Sequence, residues 1–154
     1  MDNLERIRVG FRAAGFSLAD SVGEPYNLSD VLKRKMVILV FVPGAEWQYL
    51  RPFLKKWEEV SHQIEKQTSA LLIISSERSI RTHHLKKELD LRFPILWDES
   101  SKTAELYGVL SQNSMVTYPA IFLVDEEGII RYKEVFVDLE RIPVLDRFLL
   151  CLKG

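Results

Sequence analysis

Met36-Val37-Ile38-Leu39-Val40-Phe41-Val42-Pro43 (MVILVFVP), followed seven residues later by Leu50-Arg51-Pro52-Phe53-Leu54-Lys55-Lys56-Trp57, is the stretch that decides the fold. The first part is apolar without alternation, which is the pattern of a strand whose two sheet faces are both covered by helices. The second part opens a segment from Leu50 to Ile64 in which Leu50, Phe53, Leu54, Trp57, Val60 and Ile64 recur at three- and four-residue steps. That spacing predicts a long helix with one face packed on the sheet. Pro52 suits a first helical turn, and would kink a helix that began as early as Glu46.

Working outward, Ala70 to Ser75 (ALLIIS) and Ala120 to Asp125 (AIFLVD) are further continuous apolar strands, while Ile129 to Val137 (IIRYKEVFV) alternates and suits a position nearer the sheet edge. Glu126, Glu127 and Gly128 join the last two as a short hairpin turn. Ser79 to Leu89, opening on a serine suited to capping, and Ser101 to Tyr107 are expected as shorter helices. A closing helix is expected from Leu139 to Leu152, with Pro143 in its first turn and Ile142, Leu145, Phe148, Leu149 and Leu152 on one face. The residues before Met36 carry strand and turn signals around Phe16 and Leu28. This order predicts an α/β fold with a central mixed β-sheet flanked by helices, and residues 1–154 as a single domain.

The composition agrees. The chain has 154 residues, 47% hydrophobic and 28% charged, which suits one soluble core that needs neither disulfide nor structural metal. A formal charge of -1 gives no net basic field, so nucleic acid is not an expected partner. No apolar run approaches the ~20 residues that cross a bilayer, and Met1 to Gly10 lacks the apolar stretch of a signal peptide, so a cytoplasmic protein without membrane contact is expected. The one cysteine, Cys151, is compatible with a reducing compartment.

Four local patterns in sequence order carry a resemblance. Gly15-Phe16-Ser17-Leu18 through Asn27-Leu28-Ser29-Asp30 is one, and Asp98-Glu99-Ser100-Ser101-Lys102-Thr103-Ala104 with Tyr107-Gly108-Val109 is the second. Pro119-Ala120-Ile121-Phe122-Leu123-Val124-Asp125-Glu126-Glu127-Gly128 is the third, and Pro43 with the start of the long helix is the fourth. Together they resemble the peroxiredoxin (AhpC/TSA) branch of the thioredoxin fold over nearly the whole chain. The resemblance implies a thioredoxin-like fold with a peroxiredoxin-type N-terminal extension.

It also implies a site that this chain does not supply. The family places a proline at the end of the first core strand, a threonine four residues on and the peroxidatic cysteine three beyond that. Here the proline is Pro43, the threonine position holds Trp47 and the cysteine position holds Leu50. The position of the family's arginine matches Pro119. A thiolate that attacks peroxide needs a lowered pKa from a helix N-terminus and nearby donors, and leucine offers no nucleophile to activate. Aligned in the thioredoxin manner, the redox pair would fall on Glu46 and Tyr49, and the Tyr118–Pro119 bond would be cis.

No catalytic residue is therefore expected. The expected role is a non-catalytic binding or assembly module, without cofactor, acting with an unknown protein partner or as a homodimer. Two alternatives stand beside it: thiol peroxidase or reductase activity through Cys151 or a partner's thiol, and small-molecule binding in a remodelled pocket formed by Pro43, Glu46, Trp47, Tyr49, Tyr118 and Pro119. The aromatics Trp47, Tyr49, Tyr118 and Phe136 could equally form an exposed docking patch. Cys151 otherwise serves as a small apolar residue of the closing helix. The adjacent His83 and His84 point about 100° apart on a helix and lack a third ligand, so no metal site is expected.

Overall fold

The computed structural model describes residues 4, 7–44, 46–66, 69–76 and 80–153, without the side chains of residues 65, 66 and 153. The chain opens with a small antiparallel pair, β1 (Ser17–Ala19) and β2 (Pro25–Asn27), and a short helix α1 (Leu28–Leu32) capped by the Asn27 side chain, which accepts from the Ser29 amide at 3.0 Å. There follow β3 (Met36–Val42), α2 (Leu50–Lys66), β4 (Ser69–Ser75), α3 (Ile80–Glu88) and β5 (Ile95–Trp97). The chain closes with α4 (Lys102–Leu106), β6 (Ala120–Val124), β7 (Ile130–Val135) and α5 (Asp146–Lys153).

The five longer-range strands form one mixed sheet in the order β5-β4-β3-β6-β7. β3 runs parallel to β4, with Val40 opposite Ile73, and antiparallel to β6, with Val40 opposite Ile121. Because side chains alternate across a strand, the apolar runs feed two cores. Ile38, Val40, Ile73 and Ile121 meet Phe53, Trp57 and Phe148 from α2 and α5, while Leu39, Phe41 and Phe122 meet Leu28, Tyr107 and Val109 on the other face. The expected mixed sheet between helices is what the chain forms. The alternating strand, β7, lies at the sheet edge as its pattern indicated.

Three expectations need correction. A fifth strand, β5, joins the sheet beside β4; its three residues, introduced by Pro94, are too few to show a period. The closing helix starts at Asp146 rather than Leu139. Ile142 precedes Pro143, which disfavours helical backbone there, and the preceding carbonyls are engaged elsewhere. No cis peptide bond occurs among the described residues, so Tyr118–Pro119 is trans, the ordinary state of an X–Pro bond. Its neighbours hold it extended: the Tyr118 amide donates to the Val109 carbonyl at 2.8 Å and the Phe136 amide to the Pro119 carbonyl at 2.8 Å.

Smaller differences have local causes. α4 begins at Lys102 because Ser100 and Ser101 both adopt left-handed backbone (φ 59° and 58°), and its free amides are taken by the buried carboxylate of Asp98, which accepts from Thr103 and Ala104 at 2.9 Å each. α2 starts at Leu50, so Pro52 falls in the first turn, where its missing N–H removes nothing from the ladder. The capping serine expected for α3, Ser79, lies outside the described residues. At the β6–β7 hairpin Asp125 accepts from the amides of Glu127 and Ile129 at 2.9 Å and from Arg131 Nε at 2.6 Å. Against the upward push of partial burial, these bonds hold its carboxyl below the ordinary value.

α5 is joined to the sheet side chiefly by one ring. Phe148 is fully buried and stands 5.4 Å from Trp57 and 5.5 Å from Tyr132, centroid to centroid. Phe148→Ala is expected to lower unfolding free energy in urea by about 3–5 kcal/mol. Leu150→Ala, on the exposed side of the same helix, should change it by no more than about 0.5 kcal/mol.

Candidate functional site

The parallel strands end where β3 hands over to α2, and the side chains singled out from the sequence surround that junction. β3 delivers Pro43, whose carbonyl accepts from Ser76 Oγ at 2.9 Å, and then Gly44 at φ 135°, a conformation that favours glycine. The chain turns at once: the Trp47 amide donates to the Gly44 carbonyl at 3.3 Å and the Leu50 amide to the Trp47 carbonyl at 3.0 Å. Leu50 therefore stands at the first position of α2 with its side chain buried at 2% exposure in the core. Trp47, half-buried, packs its ring edge-on against Phe53 (5.5 Å) and Tyr49 (6.0 Å).

The candidate pocket residues turn in different directions. Trp47 Nε1 donates to the Leu139 carbonyl at 3.1 Å, and the Tyr49 hydroxyl donates to the Glu140 carbonyl at 2.9 Å. The two aromatics thus clamp the 139–140 turn that precedes α5. Glu46 faces the other way, toward α3, and pairs with Arg81 at 3.1 Å. Pro119 is buried at the start of β6, and Tyr118 is half-buried beside it. The junction joins Trp47, Tyr49 and Leu50 but parts Glu46 from Tyr49. Trp47, Tyr49, Tyr118 and Phe136 are all half-buried rather than an exposed aromatic patch.

Beside the junction a surface groove of about 520 Å³ runs between α2 and α3, floored by Trp47, Leu50 and Leu85 and flanked by Ile80 and His84. Two ion pairs cross its rim, Arg81 with Glu46 and Arg51 with Glu88 at 2.8 Å. The hydrogen bond from Arg51, then its charge, holds the Glu88 carboxyl below its ordinary value. All four side chains are more than half exposed, so these pairs shape the rim more than they stabilise it. Arg51, Arg81 and Glu88 were not among the residues singled out from sequence. The available signal was the three- and seven-residue spacing of Arg81, His84 and Glu88 on one face of α3. Chemically, the floor of Trp47, Leu50 and Leu85 offers apolar contact.

Cys151 lies elsewhere, exposed on α5. It sits near Tyr132 of β7, whose hydroxyl donates to Glu134 at 2.6 Å. Burial, that hydrogen bond and the charges of Glu134 and Cys151 push the Tyr132 hydroxyl above its ordinary value. Exposure makes Cys151 other than the packed apolar residue its helix suggested. His83 Nδ1 lies 2.8 Å from Ser21 Oγ, and among the described residues no group of three His, Cys, Asp or Glu side chains could hold a metal ion. No helix among them is long and apolar enough to cross a membrane.

The sequence profile of the AhpC/TSA family matches residues 9–133. The chain belongs to the AhpC/TSA family. A Coxiella burnetii protein named as a bcp peroxiredoxin is 34% identical over 131 residues, covering 80% of this chain and 85% of that one. The thioredoxin peroxidase of Fasciola hepatica is 30% identical over 156 residues, covering 89% and 78%. Among solved structures, peroxidoxin BcpB of Mycobacterium tuberculosis superposes with a TM-score of 0.84 at 20% identity, covering 96% of this chain and 97% of that one. The fold is thus that of the peroxiredoxins throughout, and this AhpC/TSA chain carries its one cysteine on α5.

The clamp on residues 139–145 can be tested directly. Trp47→Phe keeps the ring but removes the donor to Leu139, and is expected to cost about 1 kcal/mol of stability. Amide exchange should accelerate in residues 139–145 with little change in β3 or β4. Equal acceleration across the sheet would contradict a local clamp.

Proposed function

We propose that this AhpC/TSA chain works as a non-catalytic binding or assembly module that does not turn over peroxide, engaging a protein partner or a second copy of itself. The observation that carries the reading is Leu50, a buried leucine at the head of α2, where the resemblance puts the reactive thiol. The positive dipole end of a long helix there would favour a thiolate, but a hydrocarbon cannot use that field. Trp47 stands in the place of the threonine and spends its one donor on the Leu139 carbonyl, leaving none to hold a peroxide oxygen. Pro119, in the place of the arginine, has no side-chain donor. A fold retained without its reacting groups keeps surfaces and shape, and these suit recognition.

The exposure of Cys151 favours a second reading, thiol chemistry carried by that residue alone or with a partner's thiol. It would need a different reacting geometry, because Cys151 lies on α5 rather than in the first turn of α2.

One experiment separates the two. Hydrogen peroxide consumption with dithiothreitol as reductant is expected to stay at the buffer rate for the parent chain. Consumption well above buffer that survives Cys151→Ser would overturn the binding-module reading, and consumption abolished by Cys151→Ser would establish the second. Intact mass after mild peroxide treatment adds an independent check: an unmodified Cys151 removes the thiol reading.

A further inference from the structure

The opposite end of the sheet carries an unfinished edge. Along its full length β4 pairs with β3, but on its other side β5 pairs only with Ile73, Ile74 and Ser75. The Ile73 amide donates to the Pro94 carbonyl at 3.2 Å and the Ser75 carbonyl accepts from Asp98 at 2.8 Å. Alternation along the strand then turns the backbone groups of Ser69 and Leu71 to the same side. In a continued parallel ladder the Leu71 carbonyl would take its bond from residue 94, and proline has no N–H to give. Among the described residues nothing from the β5 side reaches the backbone of Ser69 or Leu71.

This edge opens into a cleft of about 210 Å³. One wall, from α2 and the chain before β5, is Ile64 and Phe93, which pack in the same core as Leu71. The other wall is Tyr26, Val31 and Lys35, on the face of Ala70. A shallower groove continues past Lys35 to Arg34. Arg34 and Lys35 form no ion pair among the described residues, and Arg92 at the cleft pairs with Glu58 at 3.7 Å while its Nη1 lies 3.2 Å from His62 Nδ1. Arg34, Lys35 and Arg92 thus bring three cations to this edge, beside the carboxylates of Asp30, paired with Lys33, and Glu58, paired with Arg92.

We propose that the cleft docks an extended acidic peptide segment of a partner protein, added as a strand beside Ser69–Leu72, with carboxylates toward Lys35 and Arg34 and apolar side chains toward Ile64 and Phe93. Main-chain bonds to the free edge supply affinity, and the two unlike walls set the alternation of the segment. The inference rests on the binding-module reading, and the two fail separately: peroxide turnover would overturn that reading without moving the Leu71 amide.

The test is an amide NMR titration of the full chain with a capped hexapeptide alternating glutamate and valine, beside a lysine–valine control. Expected are shifts at Ser69 and Leu71 with a dissociation constant of about 1 mM or tighter, no binding of the control, and a loss of about tenfold or more in the double variant Arg34→Glu, Lys35→Glu. Absence of shifts at these amides, equal binding of the control, or the same shifts produced by inorganic phosphate would overturn the proposal. Should the double variant melt early, the control peptide on the unaltered chain still decides.

Discussion

β3 has a neighbour on each side and a helical layer on each face, and the positions of the other elements follow from that confinement. Its register with β4 and β6 is set through a continuous apolar run, in which every residue from Val37 to Val42 is fully buried. A slip by one residue would exchange the two cores, setting Val40 among the partners of Phe41 and Tyr107 and leaving Phe41 to face Trp57. With β3 fixed, its end at Pro43 and Gly44 is fixed, and so is the first turn of α2. The identity of the residue at that turn, a buried Leu50, is thus a property of the frame as much as of the site.

The same confinement explains what could be read from the residues alone. Continuous apolar runs and a three-to-four-residue period are local signals, so β3, β4, β6 and the start of α2 at Leu50 were legible. β5 was not, because Ile95–Trp97 is a strand only by virtue of lying against Ile73–Ser75. The head of α5 was mistaken for the same reason in reverse. Leu139 to Leu145 has helical spacing, yet its carbonyls at 139 and 140 are bound by Trp47 and Tyr49, some ninety residues earlier in the chain. Such distant donors leave no trace in local periodicity. Likewise, Glu46 and Tyr49 are close in sequence but diverge in space, because one follows α3 and the other the 139–140 turn.

The junction sets the head of a long helix against hydrocarbon. The positive end of the 17-residue α2 lies beside Leu50, whose own amide is already bonded to the Trp47 carbonyl. In this chain the donors nearest that point, the indole of Trp47 and the hydroxyl of Tyr49, are turned outward to main-chain carbonyls rather than inward to a ligand. Polar groups are thereby satisfied at a half-buried place where an idle donor would be costly. The floor of the groove becomes hydrocarbon, and the charged groups retreat to its rim.

The two ends of the sheet therefore differ in kind. At the end where β3 feeds α2, apolar packing and side-chain clamps take up the carbonyls of Leu139 and Glu140. At the other end, one proline stops the β4–β5 ladder four residues short of where β4 begins its pairing with β3, and main-chain groups are left facing a cleft between an apolar and a basic wall. Native sheets commonly blunt such edges with charge, and Lys35, Arg34 and Arg92 act in that way here against pairing with an uncharged or basic strand. On the proposed docking, the same charges would make the edge selective rather than sealed, because an acidic strand meets attraction where others meet repulsion. A protein of this family that works by recognition would thus carry its most discriminating surface far from the turn where its relatives' name would place attention.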